Sequence, residues 1–168
     1  MWITVMTPFV LQAIAIGFDE YYFHWRRGLP LWERIGHPLD TLSLFICLLM
    51  IVLVPFTMTA FKVYIGLAIF SCLMVTKDEF VHKHHCPAAE NWLHALLFLL
   101  HPITLACAAM IWPIIWHVET PWWISSWLDN PELLTTFMYC QTGAVLLFFL
   151  YQVLFWNFLW SSYPVKKN

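Results

Sequence analysis

Five long apolar runs constrain the fold of this chain more than any other feature of its sequence. The runs are Trp2 to Phe18, Leu42 to Phe56, Phe61 to Thr76, Leu93 to Trp112 and Leu133 to Trp160. With its flanking residues, each run approaches the roughly 20 residues that a helix needs to cross a bilayer. A mean hydropathy of +0.70 with only 11% charged residues excludes an ordinary soluble domain. The sequence therefore predicts a single membrane domain over residues 1–168, all-α, with five transmembrane helices.

The basic residues predict how these helices are oriented. With five spans, residues 19–36, 77–92 and 161–168 lie on one side of the membrane. Seven of the eight Lys and Arg residues fall in these segments, and only Lys62 falls on the other side. The positive-inside rule predicts that this side faces the cytoplasm, with the N-terminus outside and the C-terminus inside. The expected location is a membrane of the bacterial inner-membrane type. Tryptophan is enriched at membrane–water interfaces. An aromatic belt on the outer face is therefore predicted for Trp112, Trp116, Trp122, Trp123 and Trp127.

Two segments with the same spacing indicate an internal duplication. "PLWERIGH" (30–37) and "PAAENWLH" (87–94) both have the pattern Pro-x-x-Glu-x-x-x-His, at an offset of 57 residues. "DEYYFH" (19–24) and "DEFVH" (78–82) precede them, and their acids and histidines match at an offset of 58 residues. We predict two copies of one helical hairpin around a metal site, followed by a scaffold helix. The expected limits are about 2–57 and 60–113 for the repeats, 114–131 for a connector on the outer face and 132–161 for the fifth helix.

The repeated segments contain four carboxylate–histidine pairs spaced four residues apart. Such a pair lies on one face of a helix, with Cβ atoms about 5–6 Å apart. Ten acids and eight histidines placed at random in this chain would give roughly half such a pair. All four pairs fall at predicted helix ends on the same side of the membrane. The pairs are Glu20 and His24, Glu33 and His37, Asp78 and His82, and Glu90 and His94.

These acids and histidines are interpreted as metal ligands. A carboxylate near the hydrocarbon region is costly unless it pairs, protonates or binds a metal. A single pair would indicate only a salt bridge at a helix end, and that alternative stays open for the set. Four pairs related by duplication favour two divalent metal ions, with iron preferred and zinc or manganese as alternatives. Asp19 and Glu79 lie beside the paired acids, so the sequence does not decide between Asp19 and Glu20, or between Asp78 and Glu79.

Two further polar residues are predicted to take part in catalysis. His101 follows His94 by two turns on the same helical face and is interpreted as an extra ligand, a proton carrier or a buried structural histidine. Asp40 follows His37 by three residues and is interpreted either as its hydrogen-bond partner or as a cap for a helix after Pro38. No role is assigned to His84, His85 and Cys86.

The composition and the clustered ligands favour a membrane-embedded metalloenzyme. Its expected partner is a lipid or another hydrophobic small molecule, and no basic patch suggests nucleic acid. With iron, the reaction would be an oxygen-dependent oxidation that needs an external electron donor. With zinc, a metal-bound water would hydrolyse the substrate. Metal transport or metal handling is a further alternative, although the central parts of the predicted helices offer few polar groups along a path.

Overall fold

The computed structural model describes residues 2–77 and 87–160. Within these ranges the chain is helical and contains no strand. The helices are α1 (Trp2–Arg27), α2 (Leu31–Leu53), α3 (Met58–Thr76), α4 (Ala88–Ile115), the short α5 (Trp122–Trp127) and α6 (Pro131–Leu159). All except α5 are long and apolar enough to cross a membrane. The prediction of an all-α membrane protein with five spanning helices is confirmed.

Glycine and proline set the helix boundaries at the end of the bundle that contains the acids and histidines. α1 stops before Gly28, whose φ of 74° lies in the left-handed region that glycine adopts at little cost. A Cβ at this position would also lie 3.3 Å from Nε1 of Trp160. Pro30 and Pro87 immediately precede α2 and α4, where the missing N–H removes no helical hydrogen bond. The prolines of the two Pro-x-x-Glu-x-x-x-His segments therefore stand at equivalent places, directly before a helix.

α2 continues through Pro38, although a proline inside a helix removes one backbone hydrogen bond. The carbonyl of Arg34, four residues earlier, instead accepts a hydrogen bond from Nδ2 of Asn157 on α6 at 3.5 Å. A neighbouring helix thus satisfies the backbone group that the proline leaves open. Asp40 consequently lies inside α2, and the interpretation that it caps a helix after Pro38 is wrong.

The apolar core lies between α2, α4 and α6. α2 packs most extensively against α6 and α3, and α1 packs against α4. Leu48 and Ile51 of α2 and Ile111 of α4 are completely buried. Trp112 is buried beside them, and its Nε1 donates a hydrogen bond to the carbonyl of Val54 at 2.8 Å. The prediction that Trp112 belongs to an interfacial belt is therefore wrong, because its ring fills the core.

One pair of contacts among the first four helices matches a twofold relation, whereas α3 packs against α4 and the described residues of α1 and α2 make no comparable contact. Exchanging the hairpin of α1 and α2 with the hairpin of α3 and α4 would exchange the α1–α4 contact with the α2–α3 contact. Both contacts are extensive. The duplication itself, with repeats at about 2–57 and 60–113, stays a prediction.

Candidate metal centre

A buried polar cluster lies where the end of α1 meets the beginnings of α2 and α4. It contains every described member of the predicted ligand set, namely Glu20, His24, Glu33, His37, Glu90 and His94. Glu33 and Glu90 are completely buried, and His37 is half-buried. The remaining predicted ligands, Asp78, Glu79 and His82, fall outside the described residues, as do His84, His85 and Cys86.

Two overlapping groups in this cluster have ligand atoms close enough to hold a metal ion. The first group consists of Asp19, His24, Glu90 and His94, all buried, with one ligand atom each within 4.8 Å of the others. The second group shares His24 and adds Glu33 and His37. Two ligand atoms that each lie about 2.1 Å from one ion are at most about 4.2 Å apart. Any two of these atoms at the 4.8 Å limit would therefore have to approach each other by at least roughly 0.6 Å to bind one ion.

A π-helical turn at Asp19–His24 explains why two acids reach the same histidine. In an α-helix His24 shares its face with the residue four positions earlier, Glu20. The wider i→i+5 turn also brings Asp19, five positions earlier, onto that face. Nε2 of His24 lies 3.2 Å from Oδ2 of Asp19, and Nδ1 lies 3.0 Å from Oε2 of Glu20. The structure thus places Asp19 in the first group and Glu20 on the opposite side of the imidazole.

Glu20 holds the His24 ring in an orientation suited to a metal ligand. A carboxylate only accepts hydrogen bonds, so Nδ1 of His24 carries a hydrogen, and in the neutral ring Nε2 keeps its lone pair. The other Glu20 oxygen accepts hydrogen bonds from the Tyr151 hydroxyl and from Nε1 of Trp156, both at 2.7 Å. Metal-binding histidines commonly donate their second N–H to a carboxylate in this way. Sequence reasoning missed Tyr151 and Trp156, since α6 was interpreted as a scaffold.

Arg27 supplies the positive charge between the two duplicated glutamates. Its Nη1 and Nη2 donate hydrogen bonds to both oxygens of Glu33 at 2.9 and 3.0 Å, and Nη2 also donates to Oε1 of Glu90 at 2.5 Å. Both acids lie in the first turn of a helix, where the helix dipole stabilises negative charge. Sequence reasoning missed Arg27 as a site residue, because basic residues at a helix end usually face the membrane surface.

Several buried atoms of the first group make no hydrogen bond within the described part of the chain. Among them are Oδ1 of Asp19, Oε2 of Glu90 and Nε2 of His24, which lies 3.2 Å from Oδ2 of Asp19 without a hydrogen bond to it. Leaving a buried polar atom unsatisfied costs about 1–3 kcal/mol, and more when the group is charged. The carboxylate oxygens accept hydrogen bonds, and Nε2 bears the lone pair of its ring, so a cation can satisfy all three.

The cluster has a net negative charge, which a bound cation would reduce. Asp19, Glu20, Glu33 and Glu90 are at most 8% exposed, and Arg27 is the cation among them. With neutral histidines, these described residues carry an excess of three negative charges. A divalent ion would offset two of these charges in a place where carboxylates are expensive to leave uncompensated.

A cavity of about 100 Å³ extends from the cluster toward the middle of the bundle. Asp40 and His101, the two residues predicted to be catalytic, both line this cavity. Oδ1 of Asp40 accepts a hydrogen bond from Nζ of Lys77 at 2.6 Å. His101 hydrogen-bonds through Nδ1 to Gln12 at 3.1 Å and through Nε2 to Ser71 at 2.9 Å. His101 therefore lies outside both candidate metal groups, with each ring nitrogen engaged.

Comparison of this chain with protein-family models, with curated proteins and with solved structures finds no significant match. Its class follows from the fold and the cluster. It is a helical protein with five helices able to cross a membrane and a buried group of Asp, Glu and His residues that could hold a metal ion.

Proposed function

We propose that this protein is a membrane-embedded metalloenzyme that binds a divalent metal ion through Asp19, His24, Glu90 and His94. The observation that carries the proposal is that buried acceptor atoms of this one group make no hydrogen bond among the described residues. Salt bridges account for the contacts of Arg27 with Glu33 and Glu90, and for Nε2 of His24 if its ring is protonated against Asp19. They leave the second oxygens of Asp19 and Glu90 without a hydrogen bond in the described ranges, whereas a metal ion offers these carboxylates a partner.

We propose one ion where the sequence favoured two. His24 belongs to both candidate groups, but its Nδ1 donates to Glu20, so only Nε2 can bind a metal. One lone pair binds one ion. Arg27 already pairs with Glu33 and lies against Glu90, and its guanidinium takes the place of a second metal ion.

The donor set supports iron and an oxygen-dependent oxidation. Two histidines and one carboxylate with open coordination positions are typical of non-haem Fe(II) oxygenases, and the proposed set contains these donors in His24, His94 and Asp19, with Glu90 as a second carboxylate. The substrate would be a lipid or another hydrophobic molecule, because apolar side chains such as Ile16 and Leu97 line the cavity together with the polar residues of the cluster. An external donor would supply two electrons, so that one oxygen atom of O₂ enters the product and the other leaves as water.

A zinc-dependent hydrolase is the second candidate, because two histidines and one carboxylate are also a ligand set of catalytic zinc. Metal transport receives less support. A transport path needs polar groups through the whole membrane, whereas the inner face of α4 beyond Thr104 presents Leu105, Ala108 and Ile111 to the apolar core.

Metal analysis and oxygen dependence test this proposal. Protein purified from cells grown with iron, zinc and manganese together is expected to carry about one iron per chain. Incubated with membrane lipids and a reductant, it should form a product with one added oxygen atom in air and none without oxygen. The measurements are elemental analysis and mass spectrometry of the lipids. Zinc in the site together with activity that survives without oxygen would favour the hydrolase instead.

The proposed orientation places the cluster at the cytoplasmic side, as the excess of basic residues at that end predicts. A cytoplasmic reporter fused after the last residue is expected to be active, and a periplasmic reporter at the same position inactive. The opposite pair of results would reverse the orientation. Fusions in the loop between α2 and α3 provide the matched control, with the opposite pattern of activity.

A further inference from the structure

A chain of hydrogen bonds crosses four helices deeper in the bundle than the metal cluster. The Ser43 hydroxyl donates to the carbonyl of Asp40 at 2.8 Å. Because a hydroxyl has one hydrogen, Ser43 must accept the bond that joins it to Ser71 at 2.8 Å. Ser71 has then donated its only hydrogen, and it must accept from Nε2 of His101 at 2.9 Å.

The direction of this chain fixes the orientation of the Gln12 amide. Neutral His101 carries its hydrogen on Nε2, so Nδ1 accepts, and the NH₂ group of Gln12 donates to it at 3.1 Å. Oε1 of Gln12 is buried, and it makes no hydrogen bond with any residue in the described ranges. Gln12 is 5% exposed and lines the cavity that reaches the metal cluster. Turning the amide over would set its oxygen against the lone pair on Nδ1.

We propose that Oε1 of Gln12 binds the hydroxyl group of an aliphatic alcohol whose hydrocarbon chain lies in the cavity. We propose a neutral donor, because a buried ammonium needs a charged partner and the groups that Gln12 meets in this chain of hydrogen bonds are uncharged, although carboxylates such as Asp19 line the same cavity. The neighbouring wall suits methylene groups, since Ile16, Leu97 and Phe148 line it. The cavity thus combines an apolar wall with several polar and charged residues, Gln12 among them, and apolar surface with placed polar groups is typical of a small-molecule site.

The distance along the helices between Gln12 and the metal cluster determines which part of this alcohol lies near the metal. Gln12 and Asp19 are seven residues apart on α1, and His94 and His101 are seven residues apart on α4. Two contacts join these helices: Oδ2 of Asp19 lies 3.3 Å from Nε2 of His94, and Nε2 of Gln12 lies 3.1 Å from Nδ1 of His101. Seven residues rise about 10 Å along a helix. An alcohol held by Gln12 therefore presents a carbon several bonds from its hydroxyl to the metal, which makes Gln12 a determinant of the position of reaction.

Alcohol binding at Gln12 indicates a substrate class for the proposed enzyme. The role of the alcohol as a substrate rests on the proposed function, whereas its binding does not. Binding is measured on the full-length protein in nanodiscs of one phosphatidylcholine, with tritiated 1-decanol as the probe. Unlabelled 1-decanol and decyl methyl ether serve as competitors, because the ether lacks the hydrogen-bond donor. For the wild type, half-displacement should need at least about tenfold more ether than alcohol, as expected when a buried acceptor is left without its donor.

Two variants complete the experiment. Gln12→Met keeps the length of the side chain but removes the acceptor, and we expect it to lose the preference for the alcohol. Gln141→Met, at a half-buried position of α6 outside the cavity lining, should keep the preference. Equal displacement by ether and alcohol in the wild type, a lack of saturable decanol binding, or a preference that persists in Gln12→Met would overturn the site. Metal content of the same samples separates the two proposals, since discrimination by a protein that binds no metal would refute the enzyme and leave the alcohol site standing.

Discussion

Replacing His94 with alanine is expected to weaken metal binding by roughly a hundredfold or more. His94 is 4% exposed and provides one of the four ligand atoms of the first group. Loss of a residue that only supports a ligand already lowers metal affinity about 10–100-fold, so loss of a ligand should reach or exceed the upper end of that range. The measurement is metal per chain after dialysis against a chelator of known affinity. His24→Ala should behave in the same way.

His117→Ala is the matched control, because His117 is exposed and follows α4 at the opposite end of the bundle. Its metal content should equal that of the wild type. Glu20→Gln should fall between the two, at about 10–100-fold, since Glu20 orients His24 without belonging to either metal group. If the cluster held only salt bridges, there would be no metal to lose in any of these variants. Indistinguishable metal content in His94→Ala and His117→Ala would establish that alternative.

Replacing Arg27 with alanine is expected to lower the free energy of unfolding by about 3 kcal/mol or more. Its guanidinium pairs with Glu33 and Glu90, both completely buried, while its own side chain is 29% exposed. Removing one partner of a buried ion pair leaves an uncompensated charge and typically costs 3–5 kcal/mol. Denaturant unfolding in a mild detergent, followed by loss of helical circular dichroism on metal-free protein, measures the change.

Arg26→Ala is the control for this change, because Arg26 precedes Arg27 directly and faces outward. Its guanidinium lies 4.1 Å from the centre of the Tyr22 ring, an exposed contact worth about 0.5–1 kcal/mol. We also expect added divalent metal to restore part of the stability of Arg27→Ala and to raise its metal count above one per chain, because Glu33 and Glu90 would then be open to a second ion. Equal stability of the two arginine variants would contradict the proposed role of Arg27 as the second cation of the cluster.

The number of spans and the gathering of acids and histidines at one end could be predicted from the sequence because both depend on local patterns. Hydropathy over about 20 residues decides whether a segment can cross a bilayer, and the order of the segments then decides which connections share an end. The i,i+4 spacing of Glu20 and His24 places both on one helical face, and Pro30 and Pro87 mark helix starts without reference to any other helix. The spacing therefore predicts Glu33, Glu90 and His94 as members of the cluster without any knowledge of the distances between their side chains.

Only the tertiary structure decided what each of these groups does, because that depends on the turn type and on the rotation of each helix toward its neighbours. The π-helical turn moved Asp19 onto the face of His24 and left Glu20 to orient the ring, a choice the spacing alone could not make. Arg27 turned inward while Arg26 stayed outside, although the two are adjacent in the chain. The orientation of the Gln12 amide follows from Ser43 through Ser71 and His101, because a hydroxyl has a single hydrogen and each donor in the chain of hydrogen bonds sets the direction of the next.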